Sequence, residues 1–136
     1  FQHPASEFVA RFIGIRNVYR GRLVPAKIGA GGTPGFMVGG VSFAVLTDAP
    51  PGPGFLVVRS EDVIVSPERI ESSAQNVLHG TVTEVTPARL GVEISVDAGV
   101  PVTAWVTRES AARLELRAGR AVWVSFKASA ACFIEE

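Results

Sequence analysis

The sequence predicts a mainly β protein made of two consecutive strand-rich modules with short helices. Three observations predict it. Apolar residues alternate with polar ones through much of the chain, which is the pattern of strands with one buried face. Clusters of Gly, Pro, Asn and Asp cut the alternation into short runs. The two halves also echo each other, with Gly14-Ile15-Arg16-Asn17-Val18-Tyr19-Arg20-Gly21 aligning with Ser73-Ala74-Gln75-Asn76-Val77-Leu78-His79-Gly80. Asn76 minus Asn17 gives an offset of 59 residues for this echo.

Taken in order, Pro4, Phe8, Val9, Phe12 and Ile13 form a one-sided apolar stripe ended by Gly14, which predicts a helix over residues 4–13. From Val18 the period becomes two. Val41, Phe43 and Val45 alternate, then Leu56 and Val58, then Val63 and Val65. The glycine-rich Gly29–Gly35 lacks the Gly-Lys-Ser/Thr ending of a phosphate-binding loop and precedes strand-like sequence, so it reads as a hairpin connection. The second half alternates more regularly, through Val92, Ile94 and Val96, then Val100, Val102, Ala104 and Val106, then Val122, Val124 and Phe126. Between the last two runs, Thr107 through Leu116 has a capping hydroxyl and helix formers, with a stop at Gly119. Several short strands with one helix in roughly 70 residues outline a small Greek-key barrel of the oligonucleotide/oligosaccharide-binding (OB) type. The echo divides the chain at about Pro67 to Glu71, giving modules 1–69 and 70–136.

Composition narrows the function. With 47% hydrophobic residues in 136, the chain has enough apolar mass for packed cores, which excludes disorder. Thirteen basic and 13 acidic side chains cancel, so no long-range field gathers nucleic acid or acidic lipid. Cys132 is the only cysteine, and a chain that forms no internal disulfide fits a reducing, cytoplasmic compartment. No apolar run reaches the roughly 18 residues needed to cross a bilayer, and Phe1-Gln2-His3-Pro4 has no signal-peptide character. A start at Phe1, almost directly inside a helical pattern, suggests a segment of a longer polypeptide. His3, His79 and Cys132 show no metal-ligand spacing, so no metal cation and no cofactor is expected. Arg108, Glu109 and Ser110 form no nucleophile and base pair, and without a phosphate-binding loop the segment is expected to hydrolyse nothing. Trp105 and Trp123 fall out of phase with the apolar set of their strands. At neutral net charge they are expected to be buried against the other module or another subunit rather than to stack bases.

Two stretches carry the chemistry. Ser72-Ser73-Ala74-Gln75-Asn76-Val77-Leu78 and Phe126-Lys127-Ala128-Ser129-Ala130 combine small residues, hydroxyls and backbone amides with at most one cation. A tetrahedral dianion gives up its water only where several oriented N–H and O–H donors replace it and a cation offsets its charge. Ser73 and Ser129 supply hydroxyls, the amides around Ala74 and Ala128 supply N–H groups, and Lys127 supplies charge.

The run Ser73-Ala74-Gln75-Asn76, Gly91 to Val96, Val100-Pro101-Val102 to Thr107, Ser110, Leu114, Leu116, Gly119 and Lys127-Ala128-Ser129 resembles the molybdate/tungstate-binding Mop (molbindin) domain over residues 71–134. That resemblance implies an OB-like barrel in which Ser73, Ala74, Gln75, Asn76, Lys127, Ala128 and Ser129 surround molybdate or tungstate. Gln75 stands where the family usually has arginine, so a donor is kept and a charge lost. Arg16, Asn17, Arg59 and Ser60 are the counterparts in the first module, where Gly14 replaces the serine. If each site takes one motif from each module, Arg16 meets Lys127, the tighter site, while Ser73 and Gln75 meet Arg59 and Ser60. Pro4 to Gly14 and Val58-Arg59-Ser60-Glu61-Asp62-Val63 are similar to the segment that follows the nucleotide-binding domain in ABC importer ATPases, often called the TOBE domain. The combination implies the cytoplasmic regulatory end of a molybdate or tungstate importer's ATPase subunit. Its implied partners are the oxyanion, a second copy in a homodimer, the nucleotide-binding domain and the membrane permease, with no nucleic acid. The rival readings are a TOBE scaffold that only mediates dimer contacts, favoured by Gln75 and Gly14, and a free-standing molbindin storage protein, against which the helix at 4–13 argues.

Overall fold

The computed structural model describes residues 17–25 and 33–136. The expected helix at 4–13, Gly14, Arg16 and most of the Gly29–Gly35 connection lie outside the described residues. Among the described residues are ten strands, one helix and two short 3-10 turns. They fall into two compact units, residues 1–59 with 127–136, and residues 60–126.

In the first unit, β1 (Asn17–Val24), β2 (Gly35–Val38), β3 (Val41–Ala44), β4 (Gly52–Val58) and β10 (Ala131–Glu135) form an antiparallel sheet in the order β10-β4-β1-β2-β3. Its strands alternate as expected, and Tyr19, Leu23, Phe36, Phe43, Leu56 and Val58 are all buried. Aromatic rings knit this core, Tyr19 lying 5.4 Å from Phe43 and Phe36 lying 5.8 Å from Phe133 of β10.

In the second unit, β5 (Ile64–Ser66), β6 (Asn76–Ala88), β7 (Gly91–Asp97), β8 (Pro101–Val106) and β9 (Ala121–Phe126) form a sheet in the order β5-β9-β6-β7-β8. The long strand β6 has a bulge between Val82 and Glu84. Val82, Ile94, Val96, Val102, Val122, Val124 and Phe126 are almost fully buried, the inward half of the alternation read from the sequence. Helix α1 (Arg108–Arg113) starts where expected, with the Thr107 hydroxyl accepting from the Ser110 N–H at 3.1 Å. It stops earlier than expected. Glu115 takes a left-handed φ of 53°, and the Leu116 N–H donates back to the Ala111 carbonyl, closing the helix well before Gly119. Gly119 serves the next turn instead, at φ 93°, donating to the Val82 carbonyl at 2.8 Å.

These units are not the consecutive blocks 1–69 and 70–136. β5, which precedes residue 70, pairs with β9, and β10, at the end of the chain, pairs with β4. Both are edge strands of a few residues, and an edge strand is held by whichever ladder satisfies its backbone N–H and C=O groups, not by its own sequence.

The echo between the halves is a true repeat of register. β1 pairs with β4 through Asn17–Val58, Tyr19–Leu56 and Gly21–Gly54, and β6 pairs with β9 through Asn76–Phe126, Leu78–Val124 and Gly80–Val122. The offset of 59 between β1 and β6 is therefore matched by an offset of 68, Phe126 minus Val58, between β4 and β9. Gly80 shows why the repeat keeps glycine: a Cβ there would stand 2.5 Å from the Asp97 carbonyl, and at Gly21 it would meet the Met37 carbonyl. Gly80→Ala is expected to force β6 from β7 and lower stability by about 1–3 kcal/mol in urea unfolding.

Candidate functional site

Because Asn76 pairs with Phe126, the two sequence stretches leave the same end of one ladder. Gln75 immediately precedes the first residue of β6, and Lys127 immediately follows the last residue of β9. Phe126 is 2% exposed and Asn76 5% exposed, so the rung that sets this end is buried on both strands. Beyond it the backbone of Lys127 is extended (φ −72°, ψ 148°), and Ala128–Ala130 make one 3-10 turn closed by the Ala130 N–H donating to the Lys127 carbonyl at 2.9 Å.

Burial alternates along this turn. Ala128 is 3% exposed and anchors it, which turns Lys127 and Ser129 outward on either side. Neither the Lys127 ammonium nor the Ser129 hydroxyl has a partner among the described residues. On the opposite strand Ala74 is buried and its N–H donates to the Ser72 hydroxyl at 3.2 Å, while Ser73 stays exposed with no partner among the described residues. Gln75 and Asn76 each have an interaction of their own. Of the seven residues picked from the sequence, Lys127, Ser129 and Ser73 are thus presented to solvent, Gln75 and Asn76 are engaged, and Ala74 and Ala128 are buried anchors.

The first-module residues occupy the matching place. Asn17, 1% exposed, pairs with Val58, and its Oδ1 accepts from the Tyr19 hydroxyl at 3.4 Å. Burial leaves the Tyr19 phenol far above its usual range, so it stays a neutral donor. Arg59 follows Val58, and a 3-10 turn (Ser60–Asp62) follows Arg59, with the Val63 N–H donating to the Ser60 carbonyl at 3.3 Å. Counted from the buried rung, Arg59 stands where Lys127 stands, Ser60 where Ala128 stands, Glu61 where Ser129 stands and Asp62 where Ala130 stands. The sequence reading overlooked Glu61 and Asp62, although the offset of 68 from Val58 to Phe126 points to them. Arg16 lies outside the described residues.

Other features fit less well. A depression of about 400 Å³ on β6, β7 and β8 is lined by Thr83, Ser95, Val96, Asp97, Pro101, Val102 and Thr103. It has a carboxylate and no cation, the wrong balance for a dianion. Trp105 and Trp123 are half-buried against their own unit: the Trp105 ring lies where a Cβ on Gly91 would fall at 2.6 Å, and Trp123 lies 4.7 Å from His79 and 5.6 Å from the Arg69 guanidinium. No group of three or more His, Cys, Asp or Glu gathers among the described residues, and no described helix is long and apolar enough to cross a membrane.

The chain is similar to several known proteins. Residues 72–131 match the TOBE domain family. The chain is 31% identical over 131 residues to the molybdate/tungstate import ATP-binding protein WtpC of Pyrococcus abyssi, covering 96% of this chain and 36% of that protein. It is 30% identical over 131 residues to the protein of the same name from Pyrococcus horikoshii, covering 96% and 35%. Over 100 residues it is 39% identical to the molybdenum import ATP-binding protein ModC 1 of Azotobacter vinelandii, covering 70% and 27%. The chain thus spans about a third of the length of the curated relatives it matches. Among solved structures, the cytoplasmic molybdate-binding protein ModG, crystallised with molybdate bound, aligns with a TM-score of 0.75 at 25% identity over 90% of this chain and 97% of that one.

Proposed function

Since residues 72–131 are a TOBE domain and the chain is homologous to the C-terminal region of molybdate/tungstate importer ATP-binding proteins, we propose that it binds molybdate or tungstate as a regulatory module. The observation that carries this reading is the Lys127–Ser129 turn. Directly after the buried end of β9 it turns a cation and a hydroxyl outward, both without partners among the described residues. Such donors lose little on binding, because no internal hydrogen bond has to break before they meet the ion.

The module performs no chemistry of its own. In the parent protein, occupancy acts by favouring one arrangement of the ATPase over another, since an ion with equal affinity for both shifts nothing. A second copy, the nucleotide-binding domain and the permease are the partners on this reading, and the cytoplasmic face of the membrane is the place. The match of residues 72–131 to the TOBE domain family, the likeness to importer ATP-binding proteins and the molybdate-bound ModG structure support the oxyanion reading.

Calorimetric titration with molybdate, tungstate and sulfate tests it. Saturable heat from molybdate or tungstate is expected, and no heat from any of the three would leave the dimer-contact scaffold, the reading that Gln75 favours. On this proposal Arg16 joins Lys127 in holding the ion, as the pairing of one motif from each module implies. Arg16→Ala is therefore expected to weaken molybdate roughly tenfold, as loss of one charged hydrogen bond does. Arg59→Ala is expected to leave the affinity unchanged, and equal losses would remove Arg16 from the site.

A further inference from the structure

The repeat of register sets two turns in matching places, and they carry opposite charge. After the buried rung of β6 and β9 come Lys127-Ala128-Ser129-Ala130, one cation with no carboxylate. After the buried rung of β1 and β4 come Arg59-Ser60-Glu61-Asp62, one cation with two carboxylates, a net charge of −1. Both turns are 3-10, both begin right after a strand, and both are closed by the same backbone bond, Val63 N–H to Ser60 C=O and Ala131 N–H to Ala128 C=O. Burial agrees at three of the matched positions: Arg59 and Lys127 are exposed, Glu61 and Ser129 are exposed, and Val63 and Ala131 are buried, whereas Ser60 is only half-buried where Ala128 is buried. The backbone therefore repeats while the side chains diverge at the positions that face solvent.

That divergence decides which turn accepts a dianion. Resting on the oxyanion-binding reading above, we infer that only the Lys127–Ser129 turn is a binding site, and that Glu61 and Asp62 exclude the dianion from the equivalent turn of the first module. A hydroxyl at Ser129 donates to an oxyanion, whereas a carboxylate such as Glu61 in the same place accepts hydrogen bonds and repels the ion. Even with the screening of bulk water, a carboxylate several ångströms from a dianion weakens its binding roughly tenfold, and two act together. Arg59 does not reverse this, because its single charge is outnumbered within its own turn and it already has an interaction, as does Glu61. Asn17 repeats Asn76 in place and burial, so the framework of a second site persists without its ligand chemistry.

The test is the number of ions bound per chain. Calorimetric titration of sodium molybdate into the native chain, into Glu61→Ser/Asp62→Ala, and into that double variant with Lys127→Ala gives three stoichiometries. The double variant is expected to bind twice as many ions as the native chain, and adding Lys127→Ala is expected to weaken one of its two sites roughly tenfold or more while the other keeps its affinity. Both altered carboxylates are exposed, and an unchanged far-ultraviolet circular dichroism spectrum and melting temperature confirm that the fold persists. An unchanged stoichiometry in the folded double variant overturns the exclusion by Glu61 and Asp62. So does a native chain that already binds as many ions as the folded double variant. In both of these cases oxyanion binding itself stands. No heat from any of the three proteins removes the oxyanion reading, and this inference with it.

Discussion

Phe126→Ala is expected to lower the stability of the chain by about 3–5 kcal/mol, the cost of deleting a fully buried phenyl ring and leaving a cavity that its neighbours fill only in part. Phe126 is 2% exposed and is the last residue of β9, where it pairs with Asn76. Its ring is therefore both core and doorpost: it fixes where the β6–β9 ladder ends and so where Lys127 emerges. Urea unfolding measures the loss as a lower midpoint at an unchanged slope. A loss under about 1 kcal/mol would mean that the ring is not packed as described. The corresponding change in the first unit, Val58→Ala, removes fewer buried atoms from a 1% exposed position and is expected to cost less.

Lys127→Ala is expected to weaken molybdate or tungstate roughly tenfold to a hundredfold while leaving the melting temperature within a degree or so of the native chain. The two halves of this expectation have the same cause. The Lys127 side chain is exposed and has no partner among the described residues, so the fold loses nothing with it, whereas a bound dianion loses its countercharge and a charge-assisted hydrogen bond. Lys127→Arg keeps the charge and is expected to recover most of the affinity. An alanine variant that binds as tightly as the native chain places the ion elsewhere. A variant that binds weakly and also melts early makes Lys127 a structural residue.

The strands that were legible in the sequence are the ones whose own residues settle the matter. Val92-Ile94-Val96, Val102-Ala104 and Val122-Val124-Phe126 alternate over enough residues that only a one-sided strand buries them, and each became a strand with these residues inside, Val92 alone being only half-buried. α1 was legible through Thr107, whose hydroxyl caps it, but its end was not. Glu115 takes a left-handed conformation usually left to Gly or Asn, which no propensity foretells. β2 and β10 went unread for a related reason. Gly35-Phe36-Met37-Val38 sits in glycine-rich surroundings, and Ala131-Cys132-Phe133-Ile134-Glu135 is five residues with little alternation.

The candidate site divides in the same way. Ser73 to Asn76 and Lys127 to Ser129 stood out as residue types suited to a small anion, and the echo at an offset of 59 marked Asn17 as the counterpart of Asn76 in the first module. Their division into exposed donors and buried anchors did not appear in the sequence, because whether Ala128 packs inward depends on the turn that follows Phe126. The match of Glu61 to Ser129 also waited for the ladders, since it is counted from Val58 and Phe126 and not from the echo itself.

By itself, then, the sequence determined the β class, the alternation of the central strands and the helix start at Thr107, since all of these depend on neighbours along the chain. Only the tertiary structure decided that β5 joins β9 and β10 joins β4, and which of two matching turns carries one cation free of carboxylates. The physical reason is that strand partners are chosen by backbone hydrogen bonds between distant residues, and nothing in a local run of side chains names the partner.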